Sequence, residues 1–259
     1  HLFHYILKMY KIIATINFWS DSKEWLIEHC EMLRSCGVDY ILVLSQITSN
    51  YGVKDNSGHA LVIEAKNSRL IDDYILFIPN LNLTGSTNEK EKRKLGLNYA
   101  KQKEFDYILL TDTDEFYLPN EFKQAREYIE SKENLGGLIF QLYTYYKRRT
   151  LRTENVDGYF ICGIFRVTPT LNLERPNKKF LIDPTRRLGY EAYTPYSIEL
   201  YNDCIMHHYS WIRENIKQKI ESSSARANIK QNKFYEEFMN LEAGSIVGGN
   251  KLIEVNYFI

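Results

Sequence analysis

The chain has no surplus of charge of either sign: thirty-three basic residues balance thirty-three acidic ones across 259 positions. No broad field is available to gather nucleic acid or an anionic membrane, so a phosphate-bearing ligand must be held by a local cluster or a metal. Cysteine is scarce. The four present (Cys30, Cys36, Cys162, Cys204) form no CxxC pair, which argues against a disulfide framework and a zinc cluster and favours free thiols in a reducing compartment. No apolar run reaches the roughly 18–20 residues that span a bilayer. The opening HLFHYILKMYKIIATI has no cleavage-site pattern of a signal peptide. The expectation is a cytoplasmic protein, with peripheral association at the cytoplasmic membrane face left open. Met9 is a candidate start, which would make residues 1–8 upstream or tag sequence. Internal repeats and low-complexity linkers are absent too, so residues 9–259 read as a single domain.

What is abundant is aromatic: 14% of the chain, including twenty Tyr. A tyrosine offers a flat apolar face and a hydroxyl, suited to sugar or base stacking and equally to half-buried packing. Lys11–Ile16 reads as a buried first strand, Glu24–Ser35 as an amphipathic helix stopped by Gly37, and Tyr40–Leu44 as a strand covered on both faces. Strand, helix and strand in that order predict a parallel α/β sheet. Residues 45–72 read as loops around a short Ala60–Glu64 run, because Asn50, Gly52, Asp55, Asn56, Ser57 and Gly58 are turn formers. Asp73–Ile78 is a third strand. Thr87 or Asn88 would cap a helix running to Lys103, with a basic stretch at Lys90–Lys94, and Tyr107–Leu110 is the fourth strand. Beyond it the pattern predicts a helix over Phe122–Lys132 broken by Gly136-Gly137. Strands are predicted at Leu138–Tyr146, Tyr159–Val167, Lys179–Asp183, Ser197–Tyr201, Cys204–Tyr209 and Leu252–Phe258, and a helix over Arg213–Arg226.

The chemistry concentrates where the fourth strand ends, in YILLTDTDEFY. Ligands of open parallel sheets bind just beyond the strand carboxyl ends. Asp112, Asp114 and Glu115 there would repel one another unless a cation neutralised them. Oxygen-rich clusters suit Mg²⁺ or Mn²⁺ bridging protein carboxylates to phosphates; a solvated acidic turn is the plainer alternative.

The segment Lys11–Tyr117 resembles the donor half of family 2 glycosyltransferases and related GT-A enzymes, with Asp112-Thr113-Asp114 at the place of their DxD motif. Helix EKRKLGLNYAKQ resembles the family segment that sets a basic residue near the donor, here Arg93 or Lys94. Thr15 to Asn17 match the region that cradles the nucleotide, although this chain reads Asn17-Phe18 where an Asn-Glu dipeptide is frequent. Downstream, Met206-His207-His208-Tyr209-Ser210-Trp211 resembles the late segment in which an imidazole completes the metal shell; His208 fits best and His207 next, and a satisfied core histidine is the competing reading.

The resemblance implies a GT-A (Rossmann-like) α/β fold with a mixed central sheet flanked by helices. Residues 9–118 would form the nucleotide-sugar half and 119–259 the acceptor half. It implies Mn²⁺ or Mg²⁺ on Asp112, Asp114 and His208, with Asp112 also able to reach the ribose. Donor contacts are expected from Thr15, Asn17, Arg93, Lys94, Asp112, Trp211 and Lys219, while Arg213 could equally belong to a solvated helix face. In an inverting enzyme Asp183 or Glu191 would take the proton of the acceptor hydroxyl; a retaining one needs no such base. The implied activity is sugar transfer from a nucleotide-sugar, with UDP weakly favoured, to a saccharide, lipid-linked or protein acceptor. Two rivals remain: a DxD-type phosphatase with Asp112 as nucleophile, although Phe116 stands where that motif needs a small residue, and a non-catalytic nucleotide-sugar-binding module on the same scaffold.

Overall fold

The computed structural model describes residues 10–174, 179–222 and 231–256. The proposed start at Met9, the end of the expected 213–226 helix and the end of the expected 252–258 strand lie outside the described residues. In chain order, β1 (Ile12–Asn17) leads through a 3₁₀ turn (Ser20–Trp25) into α1 (Leu26–Ser35), followed by β2 (Tyr40–Ser45), α2 (Ser57–Asn67), β3 (Asp73–Leu76), α3 (Gly85–Gln102) and β4 (Tyr107–Asp112). Then come β5 (Glu115–Phe116), α4 (Pro119–Glu130), β6 (Leu135–Tyr146), β7 (Leu151–Thr153), β8 (Ile161–Arg166), β9 (Leu171–Asn172) and β10 (Gly189–Tyr190). The rest comprises β11 (Ser197–Trp211), α5 (Ile216–Ser222), α6 (Gln231–Met239), β12 (Ile246–Val247) and β13 (Asn250–Glu254).

The first four strands are parallel, in the order β3-β2-β1-β4. Parallel neighbours need crossovers, which the intervening helices supply, and this order is that of one half of a Rossmann-type sheet. The sheet then becomes mixed. β8 runs antiparallel to β4, β6 antiparallel to β8, and β11 parallel to β6. The fold is the expected α/β class, a mixed central sheet flanked by helices. Alternate residues of β1 and β4 explain the layering. Ile12, Ala14, Ile16, Tyr107 and Leu109 pack with Leu26, Leu33, Val62, Phe122 and Ile129 from α1, α2 and α4 on one face. Ile13, Ile108 and Leu110 pack with Leu97 and Ala100 of α3 on the other. Strands apolar on both faces can only sit in the middle of three layers, and each aliphatic side chain buried there contributes about 1.5–3 kcal/mol.

Several elements differ from the sequence reading. Residues 57–67, expected as loop around a short Ala60–Glu64 run, form α2. Gly136 and Gly137 lie inside β6 instead of breaking the chain before it. The two short strands expected at 197–201 and 204–209 are one long strand, β11, with register shifts at Leu200/Ile205 and His208/Trp211. Lys179–Asp183 makes only a single bridge, Ile182 to Phe160. Helix α3 is capped by Thr84, whose Oγ1 accepts from the Thr87 amide at 3.2 Å, so the cap precedes the expected Thr87 or Asn88. Among the described residues no helix is long and apolar enough to cross a membrane.

Candidate functional site

β1, β2 and β4 end on the same side of the sheet, and an open cleft of about 260 Å³ lies beyond their last residues, lined by Asn17, Gln46 and Asp112 among others. The short β5 brings the acidic run against β11, with Glu115 opposite His208 and Phe116 opposite His207. The amide of Tyr209 donates to Asp114 O at 2.7 Å, which locks the two segments together. Side chains almost a hundred residues apart in the chain thereby meet at one place.

Each of the three carboxylates has its own principal partner, and Arg186 reaches two of them. Asp112 Oδ1 accepts from Arg93 Nη2 at 2.8 Å and from Asn17 Nδ2 at 3.0 Å, and Arg186 Nη1 stands 3.5 Å from its Oδ2. Arg93 also holds Glu89 Oε1 at 2.8 Å. Asp114 pairs through Oδ2 with Arg213, with Lys219 Nζ at 3.7 Å, while its Oδ1 faces His208 Nε2 at 3.8 Å. Glu115, fully buried, pairs with Arg186 through Oε1, and its Oε2 accepts from Thr111 Oγ1 at 3.1 Å and the Asp112 amide at 3.2 Å.

This arrangement sets the charges. Burial alone would raise Asp112, yet the Arg93 and Arg186 guanidiniums outweigh it and hold its carboxyl below the ordinary range. Burial also opposes ionisation of Asp114, and Arg213, Lys219 and His208 overcome it by more, so that carboxyl stays ionised far into acid. Glu115 behaves oppositely: burial lifts it to about 7 against the pull of Arg186. Burial pushes His208 down to about 4 despite nearby Asp114. At neutral pH it is an uncharged imidazole able to offer a lone pair.

The predicted residues divide clearly. Asn17, Asp112, Asp114, Asp183, His208, Trp211 and Lys219 all line the cleft, and so does Arg213. Arg93 stands just behind it, with Nη2 engaged by Asp112 and Glu89 and with Nε and Nη1 buried without a partner. Three residues lie elsewhere. Thr15 is buried in β1 against Gly96, with its Oγ1 unpartnered. Lys94 pairs on the surface with Glu91 and Glu174, both at 2.8 Å. Glu191 is exposed beside β10, with its amide donating to Thr170 O. His207 points to the opposite face of β11, where its Nδ1 meets Tyr145 OH at 2.7 Å. Sequence reasoning missed Arg186, Lys92, Glu89, Gln46 and the 19–22 and 49–50 segments. Arg186 closes the run Asp183-Pro184-Thr185-Arg186. Here Asp183 Oδ1 accepts from the Thr185 amide at 2.7 Å and from Thr185 Oγ1 at 2.9 Å, a turn that delivers Arg186 to Glu115.

Among the described residues no three His, Cys, Asp or Glu side chains converge as a ready metal cage. Asp114 Oδ1 and His208 Nε2 face each other at 3.8 Å. Small divalent cations are frequently held by one or two protein ligands, with substrate phosphates and water completing the shell, so an oxygen and a neutral imidazole nitrogen fit that chemistry.

No protein-family model matches this chain, and no curated protein does. Among solved structures it is similar to a protein described as a putative glucose-1-phosphate thymidylyltransferase from Bacillus anthracis, in complex with sucrose. That likeness has 9% identity, covers 89% of this chain and 83% of the other, and has a TM-score of 0.36. A mannose-1-phosphate geranyltransferase from Thermus thermophilus gives 12% identity over 62% of this chain and 51% of its own, with a TM-score of 0.33. A glycosyltransferase involved in glycosylation of the major capsid of PBCV-1 gives 9% identity over 60% and 59%, with a TM-score of 0.28. The chain therefore spans between half and three fifths of the second and third proteins. All three are named as transferases. At such scores the likeness decides nothing, and the residues of the cleft must carry the functional argument.

Proposed function

We propose that the chain is a metal-dependent glycosyltransferase that moves a sugar from a nucleotide-sugar donor to a saccharide, lipid-linked or protein acceptor. The observation that carries this reading is the meeting of Asp112, Asp114 and His208 with Arg213 and Lys219 in one cleft at the carboxyl ends of parallel strands. Substitution at an anomeric carbon builds negative charge on the departing diphosphate, and preorganised cationic groups where that charge grows lower the barrier. Arg213 and Lys219 are such groups, held in place by Asp114. Asp114 and His208 would hold Mn²⁺ or Mg²⁺, which supplies Lewis-acid assistance to a leaving phosphate. Arg93 and Asn17 fix the Asp112 carboxylate, leaving its exposed side to face the ion or the ribose. Asp183, lining the cleft with Oδ1 engaged by Thr185, offers its second oxygen to an acceptor hydroxyl, as an inverting reaction requires. In this reading residues 9–118 form the donor half and 119–259 the acceptor half.

The test is Asp114→Ala, with Asp114→Asn and His208→Gln as milder variants. Metal-stimulated hydrolysis or transfer of a nucleotide-sugar should fall by at least about a hundredfold, the scale of losing one charge-stabilising group. A folded Asp114→Ala protein with full activity, or wild-type turnover unchanged by excess chelator, would sink the assignment.

A further inference from the structure

The parallel half of the sheet ends at β3, and among the described residues no strand pairs with its outer edge. The Phe77 amide donates to Ser45 O at 2.7 Å, and Ser45 lies opposite Leu76 in the ladder. Consecutive residues of a strand direct their backbone groups to opposite sides, so the N–H and C=O of Leu76 point away from β2. Native edges of this kind are blunted by charge, by proline or by a covering element. Here charge guards only the start, where Asp73 Oδ1 accepts from the Tyr74 amide at 2.9 Å and Lys66 Nζ stands 3.7 Å from the same oxygen. Pro79 closes the other end, and Leu76 lies open between them. The surface around it is apolar. Ile47, Tyr51, Val53, Leu76, Ile78 and Leu81 are all exposed, from 36% at Tyr51 to 79% at Ile78. The two segments that carry them adjoin: Asn50 Nδ2 donates to Gly85 O at 3.4 Å, and a Cβ on Gly52 would lie 3.5 Å from Leu81. No charged residue occurs from Tyr40 to Val53 or from Tyr74 to Asn88, in a chain that is 25% charged. Scattered exposed leucines are ordinary, but a contiguous apolar patch marks an interaction site.

We propose that this edge docks a second copy of the chain, with the two β3 edges antiparallel about a two-fold axis and the apolar side chains of the 47–53 loop and the 76–81 segment packed around them. Two observations choose this occupant. An open strand edge needs partners for its N–H and C=O groups, which another polypeptide edge supplies and the acyl chains of a lipid surface do not. A two-fold axis also sets the same patch against itself, so a patch of one charge sign is repelled by its copy. This patch has no charge to repel. The strand is short, so its few backbone bonds fix the register while burial of the apolar side chains supplies the affinity. The 47–53 loop carries Ser49 and Asn50, which line the cleft, so the pairing holds one wall of that site.

The experiment is sedimentation velocity of the full chain over a range from about 1 to about 100 μM. The wild type should form a dimer of twice 30.6 kDa. Leu76→Pro removes the outward N–H and leaves the bond from Phe77 to Ser45 in place, while Ile78→Lys sets a charge in the patch. Each should raise the dimer dissociation constant at least about a hundredfold, because the axis presents every substitution twice. Ile246→Lys, equally exposed but on β12 at the opposite end of the sheet, should leave the dimer intact. A chain that stays monomeric to about 100 μM overturns the proposal. If that monomer floats with vesicles of phosphatidylcholine and phosphatidylglycerol, the patch belongs to a lipid surface instead. A dimer that survives either Leu76→Pro or Ile78→Lys, or that Ile246→Lys breaks, overturns it too. Should Leu76→Pro fail to fold, Ile78→Lys decides alone, on a side chain that already faces solvent.

Discussion

Removing Arg186 tests the ion-pair web of the cleft most severely. Arg186→Met keeps much of the packing of the stem and deletes the guanidinium. Asp112, 3.5 Å away, retains Arg93 and Asn17. Glu115 does not fare so well: its side chain is wholly buried, and only the neutral donors Thr111 Oγ1 and the Asp112 amide remain to it. Breaking one side of a buried pair costs about 3–5 kcal/mol. For a chain of this size that corresponds to a fall in Tm of about 6–20 °C. The pH dependence is diagnostic. Burial already lifts Glu115 from 4.5 to about 7 while Arg186 pulls it down, so without Arg186 it keeps its proton to still higher pH. A carboxyl raised in the folded state contributes stability below its unfolded value that is lost as pH climbs to the folded value. The wild type stops losing near pH 7, whereas the variant continues. The gap between them should widen above about pH 7, by up to about 1.4 kcal/mol per pH unit, and narrow below it. Urea denaturation of the wild type, Arg186→Met, Glu115→Gln and the double variant between about pH 6 and 9 measures this, and the double-mutant cycle should show about 1–3 kcal/mol of coupling. A single-variant loss under about 1 kcal/mol, a gap that does not change with pH, or strict additivity would refute the reasoning.

Lys92 supplies the converse titration. Burial pushes its ammonium down to about 7 from 10.5, so between those values the unfolded chain holds a proton that the folded chain has released, and stability rises with pH across that window. Lys92→Met has nothing to titrate, and its urea midpoint should lack the rise seen in the wild type above about pH 7; parallel profiles would refute the assignment. In a sugar-transfer assay Asp183→Asn should lower kcat by about 10²–10⁴-fold, the scale of general-base loss, while Glu191→Gln, exposed and outside the cleft, should change it less than about twofold. A greater loss at Glu191 would move the base to that side of the molecule.

Much of the parallel half was readable in the sequence, because β1, β2 and β4 are aliphatic runs whose burial on both faces leaves few alternatives. Helix α2 was hidden by its own first turn. Asn56, Ser57 and Gly58 look like loop formers, but Gly58 is there because a Cβ would come within 2.8 Å of Ser20 Oγ. Gly136 and Gly137 mislead in the same way. A side chain at Gly137 would lie 2.5 Å from the ring of Phe165, and one at Gly136 equally close to Tyr190, so these glycines make room for aromatic rings against a strand instead of ending it. Asp112, Asp114 and His208 stood out because carboxylates crowd the end of a buried strand and repel one another, and because both segments resemble known motifs. Arg186 did not, since its meaning lies in Glu115, seventy-one residues away, and no local pattern announces a partner at that distance.

The two adjacent histidines of β11 show how narrowly such a strand is constrained. One imidazole is committed to the aromatic interior through Tyr145, and its neighbour to the cleft. Because a pleated backbone sends consecutive residues to opposite sides, inserting or deleting one residue between Ile205 and His207 would exchange their destinations. The irregular stretch at Leu200/Ile205 lies upstream of both. Changes in length can be absorbed there without altering where the two imidazoles point.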